Sequence, residues 1–167
     1  AVAKYNTGTI PFESAAYLRA ICRFYAPAVV VEVGTFIGTS ALAMVATRTI
    51  YTCDRSNDCV PSDVTPDARS LLTFPYKSST EMFAEIQEPV DLFFFDGRIQ
   101  PDDVPHIRRL MKPSSVFIVD DYVGQEKGVI NAGVLASLLP EHTLITPGAG
   151  PSTLAILLPG MKTMEKR

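Results

Sequence analysis

Residues 28–40 read AVVVEVGTFIGTS, and this stretch decides the fold. Ala28 to Val33 is a nearly unbroken β-branched run, the pattern of a strand covered on both faces. Gly34 to Gly38 bounds a turn, and Thr39 to Thr47 then reads as a helix. A buried strand that passes through a glycine turn into a helix is the opening of a βα unit.

The same alternation extends in both directions. Upstream, Pro11 suits a first helical position and opens a helix through about Tyr25. Downstream, Thr49 to Cys53 (TIYTC) is a short strand closed by Asp54. Arg55 to Pro66 is a polar loop with two prolines, followed by a short helix over Asp67 to Leu72. Phe74 to Lys77 is a weak third strand. Ser78 and Glu81 have capping-box spacing, which places a helix there to about Gln87. Val90 to Phe95 (VDLFFF) is the fourth strand. The next helix opens on Pro101, Asp102 and Asp103 and closes on Arg108, Arg109 and Lys112, an order that suits the helix dipole, with Pro113 as its stop. Ser115 to Val119 (SVFIV) is the fifth strand, and a helix follows over Val129 to Leu139. His142 to Thr146 and Thr153 to Leu158 are strands joined too closely for a helical crossover, so they pair antiparallel. The expected fold is α/β: a doubly wound, mostly parallel seven-stranded sheet ending in an antiparallel hairpin.

The chain has 167 residues, 47% hydrophobic and 20% charged, with a formal net charge of −3. That length predicts one domain, residues 1–167, with roughly 70% of its surface buried on folding. No run of Lys or Arg stands out, so nucleic acid is not an expected partner. No apolar stretch reaches the roughly 20 residues that span a bilayer, so neither is a membrane. Three cysteines occur: Cys22 and Cys53 in apolar elements, read as buried thiols, and Cys59 in the polar loop. With no signal peptide visible, the cytoplasm is the expected compartment. The chain begins without methionine, as a trimmed N-terminus would.

Open α/β sheets bind ligands beyond the carboxyl ends of their strands. Acids gather at those ends here: Glu32 with Gly34, then Asp54, Asp96, and the pair Asp120 and Asp121. The first turn has G-x-x-x-G spacing, which differs from the G-x-G-x-x-G of dinucleotide binders and counts against a nicotinamide oxidoreductase. Its glycines allow close backbone approach, the helix behind it offers N–H groups to an anion, and Asp54 can accept from a ribose diol. Together these favour a ligand that contains a nucleoside.

VEVGTFIGTSA resembles the first motif of class I S-adenosylmethionine (SAM)-dependent methyltransferases. VDLFFFDGRI resembles their fourth strand and VFIVDDY their fifth. The resemblance runs from Ala28 to Pro159 and points most closely to the metal-dependent O-methyltransferases, of the catechol and antibiotic-sugar types. It implies a Rossmann-like methyltransferase fold, SAM as cofactor and a small hydroxylated acceptor. Glu32 and Gly34 would line the methionine end, with Thr35 and Phe36 in the turn and Gly38 allowing close approach. Ser40 would bind the methionine carboxylate, Asp54 the ribose hydroxyls, and Ser78 and Ser79 would lie near adenine. Asp96, Asp120 and Asp121 match the positions that hold a divalent cation, Mg2+ in the first instance, and Asp96 would also border the cofactor.

Methyl transfer from a sulfonium needs alignment, which supplies roughly 7–11 kcal/mol, and a nucleophilic oxygen, which a bound cation makes easier to ionise. The catechol type carries a lysine shortly after the fourth-strand acid, where this chain has Arg98. Arginine is a poor base, but it can bind a carboxylate or phosphate. Lys127, in the loop after the fifth strand, is a candidate to stand in for the missing lysine, against the alternative of a solvated loop lysine. With Asp96, these two complete the expected catalytic set. His106 reads as structural, and Tyr122 as a candidate lining residue. The chain has little length for a lid, so the acceptor is large, a second copy completes the pocket, or a terminal segment has been trimmed. Two other functions fit the same residues: a metal-independent N- or O-methyltransferase in which Asp96 or Asp120 orients the acceptor, and a cofactor-binding module without transferase activity.

Overall fold

The computed structural model describes residues 9–36, 38–45, 49–54, 72–76, 78–147 and 152–160. The expected helix over 67–72 falls outside these residues except at Leu72, and Cys59 lies outside them too. Among the described residues the elements follow in the order α1 (Phe12–Tyr25), β1 (Val29–Val33), α2 (Thr39–Met44), β2 (Thr49–Cys53), β3 (Leu72–Tyr76), α3 (Ser79–Glu85), β4 (Val90–Phe95), α4 (Asp103–Leu110), β5 (Met111–Val119), α5 (Lys127–Leu138), β6 (His142–Ile145) and β7 (Ala155–Pro159).

The seven strands form one sheet in the order β3-β2-β1-β4-β5-β7-β6. The first five strands run parallel, and β7 pairs antiparallel with both β5 and β6. β1 lies inside the sheet between β2 and β4, with Val30 beside both Ile50 and Leu92. Strand order reverses between β1 and β4, so the crevice beyond their carboxyl ends is where a ligand belongs.

Side chains alternate across a strand, and the two faces separate cleanly. Val31, Val33, Phe93, Phe95, Phe117 and Val119 pack with residues of α3, α4 and α5. Val30, Ile50, Leu92, Phe94 and Ile118 pack with Leu18 and Cys22 of α1 and with Ala41, Ala43 and Met44 of α2. Cover on both faces is the reason the central strands read as continuous apolar runs rather than as alternations.

Local chemistry fixes the element ends. Ser78 Oγ accepts the Glu81 N–H at 3.2 Å, the capping bond anticipated from the spacing. Pro11 is the N-cap of α1 rather than its first helical residue. Pro113 does not end α4. Met111 is already extended, and β5 starts there. The register between β4 and β5 shifts so that Val90 faces Met111 and Leu92 faces Val116. The extra β5 residues bulge out, and proline's missing N–H costs no ladder bond there. Ser115 closes the bulge by donating to Val90 O at 2.7 Å and accepting from Lys112 N at 2.7 Å. No helix among the described residues is long and apolar enough to cross a membrane.

Candidate active site

A cavity of about 480 Å³ opens at the carboxyl ends of β1, β2 and β4. Its wall includes Gly34, Phe36, Asp54, Ser78, Ser79, Asp96, Gly97, Arg98 and Lys127. It lies at the strand-order reversal.

Its floor depends on close backbone packing. Gly34 has φ of +97°, and a Cβ there would stand 2.8 Å from Gly97 N. Gly97 in turn leaves no room for a Cβ, which would meet Val33 Cγ1 at 2.8 Å. Gly97 N donates to Val33 O at 2.6 Å, so the turns after β1 and β4 touch through two glycines. Asn131 of α5 clamps the turn after β4. Its Nδ2 donates to Gly97 O at 2.8 Å, and its Oδ1 accepts from Ile99 N at 3.0 Å. Sequence reading missed Gly97 and Asn131. The Asp-Gly step after an apolar strand was a usable signal for Gly97, whereas nothing in the sequence sets Asn131 apart from any other helical asparagine.

Glu32 sits behind this wall rather than on it. Its side chain is fully buried, accepting from Ser40 Oγ and from Thr52 Oγ1, the latter at 2.5 Å. Because the Thr52 hydroxyl is committed to Glu32, Thr35 Oγ1 is the donor in the 2.5 Å contact between the two threonines. Burial, the dominant cause, pushes the Glu32 carboxyl up to about 8 against the pull of these hydroxyls. Thr35 and Ser40 line a narrow crevice with Phe36 and Asp96 rather than the main cavity. Glu32 therefore reaches the ligand space through Ser40 and the turn. Gly38, with φ of +82°, caps α2 at its N-terminus, and a Cβ there would meet nothing within 4 Å. Asp54 Oδ2 accepts the Phe36 N–H at 2.7 Å, tying the end of β2 to the glycine turn.

Ser78 and Ser79 do line the cavity, with both hydroxyls engaged. Ser78 caps α3, and Ser79 Oγ donates to Asp103 Oδ2 at 2.8 Å. Asp103 is fully buried and also accepts from Thr80 Oγ1 and Gln100 N at 2.8 Å each, so it ties the first turn of α3 to the loop after β4. The sequence placed it only as a helix opener. Arg98 is exposed at the rim.

The three aspartates expected to share a cation have other partners. Asp96 Oδ1 and Asp121 Oδ2 both accept from Lys127 Nζ, at 2.8 and 2.9 Å. Asp120 is almost fully buried, and its Oδ1 accepts from Thr153 Oγ1 at 2.5 Å. Among the described residues no three His, Cys, Asp or Glu side chains gather as a metal-ligand set. The residues present thus do not fit a divalent ion: a lysine ammonium stands between two of its would-be ligands. Burial raises Asp96 to about 6 even though Lys127 pulls it down, and burial also raises Asp120. Lys127 is raised above the usual lysine value, because its bonds to Asp96 and Asp121 outweigh its desolvation. It stays an ammonium at neutral pH, which suits it poorly to the role of general base.

No family model and no curated protein matches the chain by sequence. Solved structures do match its shape. An O-methyltransferase from Bacillus cereus, solved in complex with SAH, superposes with a TM-score of 0.71 at 15% identity, covering 94% of this chain and 86% of that one. The fold is that of solved O-methyltransferases. The O-methyltransferase TomG from Streptomyces achromogenes, involved in tomaymycin synthesis and solved with SAM, gives 0.70 at 16% identity over 93% and 83% of the two chains. A methyltransferase from Geobacter sulfurreducens gives 0.71 at 14% over 95% and 84%.

Proposed function

We propose that the chain is a SAM-dependent methyltransferase that acts on a hydroxyl group of a small molecule. The observation that carries this reading is the cavity at the β1/β4 reversal, built from the same turns that resemble the methyltransferase motifs, in a fold shared with O-methyltransferases solved with SAH or SAM. Ligand-sized volume, a glycine turn, and Asp54 held against the Phe36 amide suit a nucleoside with a ribose diol. In this reading Gly34, Phe36 and Asp54 bind the cofactor, and Ser78 and Ser79 border its adenine side. Thr35, Gly38 and Ser40 shape the methionine end, with Glu32 fixing Ser40 from behind.

Asp96 stands where cofactor and acceptor would meet. The acceptor oxygen attacks the methyl carbon in line with the sulfur, the carbon–sulfur bond breaks with its electron pair staying on sulfur, and the hydroxyl proton passes to Asp96. Arg98 at the rim binds an anionic group on the acceptor, such as a carboxylate or phosphate. A divalent metal ion is not part of this reading, because Lys127 already occupies the acidic edge.

The test is transfer of a labelled methyl group from SAM to a panel of hydroxylated and amino-bearing small molecules. Label on a hydroxyl supports the reading. Label only on nitrogen corrects the acceptor class. SAM binding with no label on any member indicates a binding module without turnover.

A further inference from the structure

Lys127 is the first residue of α5, where the helix dipole disfavours a cation. The chain nonetheless fixes it there. Gly128 lets α5 press onto the end of β5: a Cβ at this position would stand 1.9 Å from Asp120 O and 2.7 Å from Asp121 O. Asp121 adopts a left-handed φ of 53°, unusual outside glycine, and from there reaches the ammonium. Two carboxylates from two different strand ends thus converge on one lysine, which also forms part of the cavity wall.

An ammonium has three N–H donors. Asp96 and Asp121 take two, and among the described residues the third has no protein acceptor. The side chain is 31% exposed and lines the cavity together with Asp96.

We propose that the Lys127 ammonium is the resident cation of this site and takes the place of a divalent metal ion, its third N–H directed at the acceptor oxygen. This rests on the methyl-transfer reading for the identity of the acceptor, but not for the replacement of the metal. As the hydroxyl proton passes to Asp96 and the oxygen forms its bond to the methyl carbon, the ammonium keeps its own three protons and stabilises the partial negative charge that the departing proton leaves on the oxygen. A hydrogen-bond donor does not chelate. The acceptor therefore needs only one hydroxyl, whereas a metal site favours a vicinal pair.

The test uses the intact chain and Mn2+ alone as the probe. Calorimetric titration compares the wild type with Lys127→Ala, and with Lys127→Gln in case the alanine variant does not fold. Removing the ammonium leaves Asp96 and Asp121 as an uncompensated pair open to a cation. The expected result is that the variant binds Mn2+ at least tenfold more tightly than the wild type, and that Mn2+ raises the Tm of the variant only. Equal Mn2+ affinity in wild type and variant, whether both bind or neither does, overturns the proposal. SAM titrated into the same samples reads the other claim separately: failure of SAM to bind sinks the methyl-transfer reading, while the Mn2+ comparison still decides what Lys127 does.

Discussion

Glu32 should make the stability of the fold depend steeply on pH. Its carboxyl is fully buried and is raised from 4.5 to about 8, with burial as the main cause. Below pH 4.5 the group is protonated in both folded and unfolded chains and does not affect the balance between them. Between 4.5 and 8 the unfolded chain loses this proton while the folded chain keeps it. The folded state binds more protons there, so stability falls as pH rises. The gap from 4.5 to about 8, at about 1.36 kcal/mol per pH unit, amounts to about 5 kcal/mol. Above pH 8 the loss is complete and the curve flattens. Glu32→Gln keeps the shape and most of the hydrogen-bonding capacity toward Ser40 and Thr52 but cannot ionise. Urea unfolding of both proteins at pH 5 and pH 9 isolates the effect, because every other titrating group is common to the two. The variant should lie within about 1 kcal/mol of the wild type at pH 5 and exceed it by several kcal/mol at pH 9. Parallel pH dependences would refute the reasoning, because they would mean that Glu32 ionises in the folded protein as readily as in water.

Three further outcomes follow from the geometry. Gly128→Ala sets a methyl group against the Asp120 carbonyl, and overpacking of this kind costs about 3 kcal/mol. Tm should drop by about 6–12 °C, read by scanning calorimetry. Asp54→Ala removes the acceptor of the Phe36 amide and a cavity carboxylate, and should weaken SAM binding at least tenfold, about 1.4 kcal/mol, with little change in fold by circular dichroism. The Cys22 and Cys53 thiols are pushed up to about 11 and about 12 by burial, so neither should react with a thiol reagent at pH 8 until urea unfolds the chain, as followed by mass spectrometry of the labelled peptides.

Much of the fold was legible because the central strands are buried on both faces. Thr49–Cys53 and Val90–Phe95 match their expected bounds, since an apolar run ends where the sheet does. The hairpin was legible from the shortness of its connection. Pro113 misled because a proline reads as a helix stop, whereas here it lies in a bulge whose register depends on β4, far away in sequence. The weak third strand, expected over 74–77, spans Leu72–Tyr76 at the edge of the sheet.

The site divides in a similar way. Strand-end acids and the glycine turn were readable, because βα topology gathers strand ends at one edge. Glu32 was placed correctly in the chain, but its retreat behind Ser40 depends on the face of β1 that α2 covers. Lys127 shows the limit most clearly. Its sequence neighbours give no hint that Asp96, 31 positions earlier, would be its partner. Sequence resemblance grouped three aspartates around a metal ion; side-chain geometry gives two of them to a lysine and the third to Thr153.

Thermal unfolding of the chain with saturating SAM, using NADH as control, decides whether the cavity beyond β1 and β4 holds the proposed cofactor. A ligand at about 100 times its Kd adds roughly 2.7 kcal/mol, which for a domain of this size raises Tm by roughly 5–10 °C. The expected result is that rise with SAM and none with NADH. A folded sample whose Tm is unmoved by SAM would contradict it and leave the glycine turn a purely structural feature.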